Sequence, residues 1–166
     1  MRVLIFSIVV VVMDQLTKMS VRYFFEKGID HNIISDFVQL TYIENPGMAF
    51  GIQFGGQTFF TLFAAVASVI IFVYIVRARS ERFSTRFALA LILGGAIGNL
   101  IDRFLFGAVT DFINIGIGAK RWPFFNIADS AVTIGMVILL INIIFDKNKV
   151  EESKDEAMAT NGQSFH

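Results

Sequence analysis

Cysteine is absent from the 166 residues, which excludes disulfides, thiolate nucleophiles and thiolate-bound metals. Histidine is nearly absent: His31 and His166 lie toward opposite ends of the chain, so no imidazole cluster is available. A metal site built from carboxylates alone has nothing in the pattern to motivate it, and no metal or other cofactor is expected. Charge is scarce as well. Charged residues make up 17% of the chain, against about 25% in soluble domains. The formal net charge is zero, which argues against nucleic acid as a partner, since phosphate binding calls for a basic surface.

What is abundant is apolar. Hydrophobic residues account for 55% of the chain, with 19 phenylalanines. A spanning helix needs about 20 mostly apolar residues, and four stretches meet that need at roughly 3–25, 59–76, 87–106 and 127–145. The first reaches spanning length only by continuing through Asp14, Gln15 and Lys18. Arg2 followed by an apolar core looks like a signal peptide, but without a clear cleavage site it reads as a retained anchor. Arg77, Arg79, Arg82 and Arg86 face a single Glu81 in one short loop. Basic residues near helix ends favour the cytoplasm, which places this loop and both termini inside. Segments 26–58 and 107–126 then fall on the outer face. Alternation over Asp36–Ile43 reads as a strand, and Trp122, Phe124 and Phe125 suit a membrane interface. The expectation is a mainly α membrane protein, one domain over 1–147, with four helices and a small sheet on the outer face. A polar tail over 148–166 is expected without fixed structure.

Within this frame the ionisable residues of three helices fall near the outer face. Asp14 and Lys18 share a helix side and can pair, most simply as a structural tie. Arg22 continues that face and is expected to snorkel toward lipid phosphate. Gly94 and Gly98, with Gly95 beside them, have the spacing of close helix packing. Asn99, Asp102 and Arg103 cluster at one helix end, either as an interfacial charged end or as a buried hydrogen-bond network. Asn126 and Asp129 stand three apart at the start of the last helix, where capping alone would explain each. Asp111, in Val109-Thr-Asp-Phe-Ile113, has the poorer structural excuse, because aspartate is depleted from strands.

An ionised carboxylate near hydrocarbon is costly, so Asp111 and Asp129 are candidates for a shared task. Two carboxylates about 4 Å apart repel by roughly 4 kcal/mol at an effective dielectric near 20, equivalent to about 3 pKa units. Their titrations split, and the pair can hold one proton near neutrality. The ionised member then takes a proton from water while the protonated member hydrogen-bonds a substrate carbonyl.

The chain resembles the bacterial lipoprotein signal peptidase (signal peptidase II) family. The resemblance rests on Asp14-Gln-Leu-Thr-Lys18, Glu44-Asn-Pro-Gly-Met-Ala-Phe50, Gly94-Gly-Ala-Ile-Gly-Asn-Leu-Ile-Asp-Arg103, Val109-Thr-Asp-Phe-Ile113 and Phe125-Asn-Ile-Ala-Asp-Ser-Ala131. It implies an intramembrane aspartic endopeptidase of the bacterial inner membrane, with four transmembrane helices, a small periplasmic β-cradle and a short surface helix. Its substrates would be diacylglyceryl-modified prolipoproteins, cleaved just before the lipidated cysteine. Carried onto this chain, Asp111 and Asp129 correspond to the catalytic dyad. Asp14, Lys18, Asn45, Gly47, Asn99, Arg103 and Asn126 correspond to supporting or substrate-binding positions. Partners implied are the signal peptide, membrane lipid and the cyclic peptide inhibitor globomycin, acting on a monomer. Pro46 and Met48 depart from the pattern, and Pro46 stiffens the turn before Gly47. A small proton- or ion-coupled transporter is the competing reading, and a non-enzymatic assembly subunit a further one.

Overall fold

The structure is a computed structural model that describes residues 2–47, 56–77 and 79–162. Met48, one of the two departures from the family's pattern, lies outside the described residues. Four helices and four short strands alternate in blocks: α1 (Leu4–Phe24), β1 (Asp30–Ile34), β2 (Val38–Asn45), α2 (Gly56–Arg77), α3 (Phe83–Phe106), β3 (Val109–Ile117), β4 (Lys120–Arg121) and α4 (Ile127–Gly162). The segments Leu4–Phe24, Thr58–Arg77, Phe83–Phe106 and Ile127–Phe145 are long and apolar enough to cross a membrane. Their outward faces carry side chains such as Ile8, Leu16, Phe63, Ile70 and Ile143, all more than half exposed, as a lipid-facing surface requires.

The helix limits depart from the apolar runs in three places, the smallest being α2, which begins at Gly56. α3 begins at Phe83 because Ser84, Thr85 and Arg86 form a polar first turn that continues the same backbone. α4 continues to Gly162, where the polar composition suggested no fixed structure. Lys, Glu, Ala and Met in that stretch are good helix formers, and a helix already nucleated upstream extends through them cheaply. The short surface helix that the resemblance implied is not present among the described residues.

α3 is the central helix, packing against α1, α2 and α4. Its glycines make this possible. A Cβ at Gly94 would sit 2.8 Å from the Ser7 carbonyl, and one at Gly98 2.6 Å from Asp14 Oδ2, so this stripe admits α1. Gly95 points elsewhere, with a Cβ there meeting the Ala128 carbonyl and standing 2.7 Å from Val132 Cγ2, and so admits α4. On α1 the matching buried stripe is Ser7, Val10, Asp14, Lys18 and Val21, the spacing of one helix face. Gly95→Ala is therefore expected to lower stability by about 1–3 kcal/mol through forced separation of α3 and α4. Thermal unfolding in detergent measures this, and an unchanged Tm would contradict so close an approach.

The strands form one antiparallel sheet in the order β1-β2-β3-β4. β2 and β3 come from the two segments expected on one face, and their pairing sets Ile43 opposite Asp111 and Asn45 opposite Val109. Strand β2 runs two residues beyond the alternating stretch, so Asn45 is its last residue. Phe125 then lies along the other side of β3, its carbonyl accepting from the amides of Phe112 at 3.0 Å and Ile113 at 2.8 Å. This clip brings the start of α4 beside Asp111.

Candidate active site

Asp111 enters the site from β3 and Asp129 from the first turn of α4. Asn126 joins them. Its Nδ2 donates to Asp111 Oδ1 at 2.7 Å, while its Oδ1 accepts from the Asp129 amide at 2.9 Å. The Asn126 amide in turn donates to Asp129 Oδ2 at 3.3 Å. This reciprocal exchange is a capping box, so the capping explanation of Asn126 and Asp129 is correct and yet does not compete with a shared site. The cap is what aims Asp129.

Two further amides complete the hydrogen bonding. Asn45 Nδ2 donates to Asp111 Oδ2 at 3.0 Å, and its Oδ1 accepts from Gly47 N at 3.0 Å. Asn99 Nδ2 donates to Asp129 Oδ1 at 2.7 Å. Asn99 Oδ1 accepts from Lys18 Nζ at 2.9 Å and from Asn126 Nδ2 at 3.1 Å. Gly47 has a φ of 109°, and a Cβ there would stand 2.9 Å from the Phe60 ring. Only glycine takes that backbone without strain beneath an aromatic wall.

Behind the amides lies a charge cluster with no access to solvent. Lys18 Nζ is 2.8 Å from Asp14 Oδ2 and 3.3 Å from Asp102 Oδ2, with all three side chains fully buried. Asp14 Oδ1 also accepts from the Ala128 amide at 3.0 Å, an α1 carboxylate serving the exposed amides of the α4 N-terminus. Gln15 links the same groups, donating to Asp14 and Asp102. Of the two readings of Asn99, Asp102 and Arg103, the buried network is the observed one. Arg22 differs from expectation. Its guanidinium turns inward to Asp102 Oδ1 at 2.8 Å instead of outward to lipid, because an unpaired buried carboxylate costs more than a cation gains at the surface.

The surroundings of Asp111 favour its proton. Burial first, and then the charge of Asp129, push its carboxyl up to about 7, against the opposing pull of the Asn45 and Asn126 amides and of Lys18. Arg103 carries a positive charge that acts on both Asp111 and Asp129. Among the described residues no three histidines or carboxylates are placed to hold a metal ion.

Asp111, Asp129, Arg103, Asn45 and Gly47 open on a cavity of about 870 Å³. Its remaining walls are largely apolar: Phe60, Ile115, Trp122, Pro123, Phe124, Phe125, Ile134 and Met136, with Ser130 and Thr133 below Asp129. Of the nine candidate positions, Asn45, Gly47, Arg103, Asp111 and Asp129 line the cavity, Asn99 and Asn126 hold the aspartates from behind it, and Asp14 and Lys18 stand behind those amides. Sequence reasoning did not single out Thr110, Ser130 or Thr133, and it named Arg22 and Asp102 without the contact between them. The helical spacing of Asn126, Ser130 and Thr133 was the available signal for Ser130 and Thr133.

A carboxylate pair of this kind, one buried and one partly buried, amide-supported and open to an apolar cleft, can hold one proton between two groups and polarise water against a carbonyl. The polar groups gather at one end of the bundle. Asn142, near the other end, is engaged by Ser84 and Thr85 at 3.3 Å each, which leaves the transporter reading without a polar path to stand on.

Comparisons with known proteins point the same way. The family model described as signal peptidase (SPase) II matches residues 6–145. A lipoprotein signal peptidase from Desulforapulum autotrophicum is 43% identical over 153 residues, covering 88% of this chain and 93% of the relative. Another from Syntrophus aciditrophicus is 40% identical over 140 residues, covering 81% and 87% respectively. A solved bacterial membrane enzyme, determined in meso at 2.3 Å, superposes with a TM-score of 0.81 at 32% identity, over 89% of this chain and 90% of its own. With four helices able to cross a membrane and a match over most of its length, the chain belongs to the signal peptidase II family of proteases.

Proposed function

We propose that the chain is an intramembrane aspartic endopeptidase that removes signal peptides from diacylglyceryl-modified prolipoproteins, with Asp111 and Asp129 as its catalytic dyad. The observation that carries this is a carboxylate pair, Asp111 buried and Asp129 partly buried, held by three asparagine amides at the mouth of an apolar cleft. The ionised member of the pair removes a proton from water as the oxygen attacks the carbonyl before the lipidated cysteine. The protonated member donates to the carbonyl oxygen, and the proton gained from water passes to the leaving cysteine amine as the C–N bond breaks. The proton belongs to the pair, so either aspartate can be the donor. Arg103 and Asn45 border the place where the scissile peptide would lie. Asp14, Lys18, Asn99 and Asn126 support the dyad, and Gly47 leaves room beside Phe60.

The same reading places one peptidase domain over 1–147 in the inner membrane as a monomer, the arginine-rich loop and both termini in the cytoplasm, and the sheet in the periplasm. Globomycin would compete for the cleft. The excess of Arg77, Arg79, Arg82 and Arg86 in one short loop supports the orientation.

A substrate comparison tests the proposal. The full chain in detergent should cleave a diacylglyceryl-modified prolipoprotein between the signal peptide and the modified cysteine, and leave the unmodified precursor largely intact. Equal rates on both would remove the lipid from the recognition, and cleavage of neither would remove the proposed activity.

A further inference from the structure

Thr110, the residue before Asp111, has each of its polar groups taken by a different helix. Its amide donates to Asp102 Oδ2 of α3 at 2.8 Å. Its carbonyl accepts from Asn126 Nδ2, at the entrance to α4, at 3.2 Å. Its hydroxyl accepts from Arg22 Nε of α1 at 2.9 Å. Arg22 closes the loop through its 2.8 Å contact with Asp102 Oδ1, and its guanidinium lies over the Phe106 ring, 3.9 Å from the centroid. A planar cation can hydrogen-bond a hydroxyl through Nε, pair by charge with a carboxylate through Nη2 and lie over a ring at once, which an ammonium cannot.

The location gives this clamp its meaning. Gly107, with a φ of 76°, reverses the chain between α3 and β3. Asp111 is thus carried by a strand that begins just beyond a turn. Phe125 fixes β3 downstream of Asp111, and β2 pairs with one edge of β3 on both sides of it, from Val109 to Ile115. Upstream, the only side chains among the described residues bonded to its backbone are Asp102 and Asn126, both meeting at Thr110.

We propose that Arg22 and Thr110 are positioning residues for the dyad: with Asp102 they set the strand backbone from which Asp111 reaches Asp129. This rests on the dyad reading above and deepens it. The charges acting on Asp111 are Asp129 of α4, Lys18 of α1 and Arg103 of α3, and β2 adds the neutral amide of Asn45. Freed of the clamp, Asp111 moves away from Asp129 and toward water. Both movements ease ionisation, so the shared proton leaves at lower pH.

The test uses the full chain in detergent with a diacylglyceryl-modified prolipoprotein. Thr110→Val removes only the hydroxyl acceptor, Arg22→Lys keeps the charge but not the planar guanidinium, and Thr110→Ser restores the hydroxyl. Displacing a reacting group by about 1 Å costs up to about 10²-fold. Thr110→Val and Arg22→Lys are each expected to lower kcat by about tenfold or more on that basis, with KM little changed and the alkaline limb of the kcat/KM profile moved to lower pH. The double variant should be no worse than the poorer single, and Thr110→Ser should behave as the wild type. A lower Tm with kcat per folded enzyme and the limb both unmoved would overturn the proposal and leave the clamp as a fold tie. Rescue of Arg22→Lys to full rate would overturn it too, reducing Arg22 to a counter-charge. Asp111→Asn and Asp129→Asn are run alongside. If either retains full activity, the dyad reading itself fails and the positioning role with it. If both are inactive while Thr110→Val is fully active, the clamp alone fails.

Discussion

Asp111→Asn and Asp129→Asn each leave a folded, membrane-inserted protein and each lower the cleavage rate by at least the ~10²-fold typical of a lost general acid–base group. The folding half of this expectation follows from the hydrogen bonds. Each aspartate accepts from two donors, and an asparagine of the same shape keeps one acceptor oxygen and turns the other position into a donor. The loss is of the order of one neutral hydrogen bond, about 1 kcal/mol. It is offset at Asp111 by removal of a charge that burial disfavours. The catalytic half follows from the pair. One neutral amide cannot share a proton with the remaining carboxylate, so water loses its base or the carbonyl loses its donor. The double variant should be no slower than either single, because the two act as a unit. Single-turnover cleavage beside thermal unfolding separates the halves. Full activity in either variant would sink the dyad assignment.

The same pair gives the pH dependence a sign. With Asp111 pushed up to about 7, the form holding one proton predominates below that pH and is lost above it. The value of kcat/KM, which reports the free enzyme, should fall as pH rises past about 7. Substrate filling the cleft displaces water and raises the same carboxyl further, so the limb of kcat should lie at higher pH. Stability moves in the same direction. A folded-state pKa raised above its ordinary 3.8 contributes stability that is fully present below that value and lost as pH rises to about 7. Asp111→Asn should lose this part of the pH dependence.

The chain made its four helices and its two decisive aspartates readable for one reason: hydrocarbon leaves few ways to place a charge. Asp111 could be singled out because it is a costly residue in an apolar strand, and Asn126 and Asp129 because their spacing is that of a helix start. The partners of Arg22 could not be read. Spacing along α1 shows which face Arg22 shares with Lys18, but whether that face meets lipid or Asp102 depends on how α3 docks. That docking is set by Gly94 and Gly98 against Ser7, Val10 and Asp14, a contact between residues some 80 positions apart whose existence, though not its register, the small-residue spacing suggested. Thr110 escaped for a related reason. Two of its three contacts are made by backbone groups, which every residue has.

Lys18→Met should be the most destabilising single change in the helices. Lys18 is the only cation touching Asp14 and one of two touching Asp102 among the described residues, and all three side chains are fully buried. The four groups Asp14, Lys18, Arg22 and Asp102 sum to zero charge, so removing the lysine strands one negative charge in a site closed to water. Breaking a buried pair from one side costs about 3–5 kcal/mol. The damage should also reach Asp129 without touching it. Lys18 Nζ holds the oxygen end of the Asn99 amide, which turns the nitrogen end toward Asp129 Oδ1. Without the cation that orientation loses its strongest determinant, and cleavage should fall even at temperatures where the variant stays folded. Pairing Lys18→Met with Asp14→Asn restores neutrality, and the asparagine oxygen can still accept from the Ala128 amide. The double variant should therefore melt above Lys18→Met while remaining slow, since Asn99 keeps the Asn126 amide but still lacks the cation. Equal melting of single and double would show that stranded charge is not the cause of the instability, and full activity in the double would show that Asn99 needs no lysine to face Asp129.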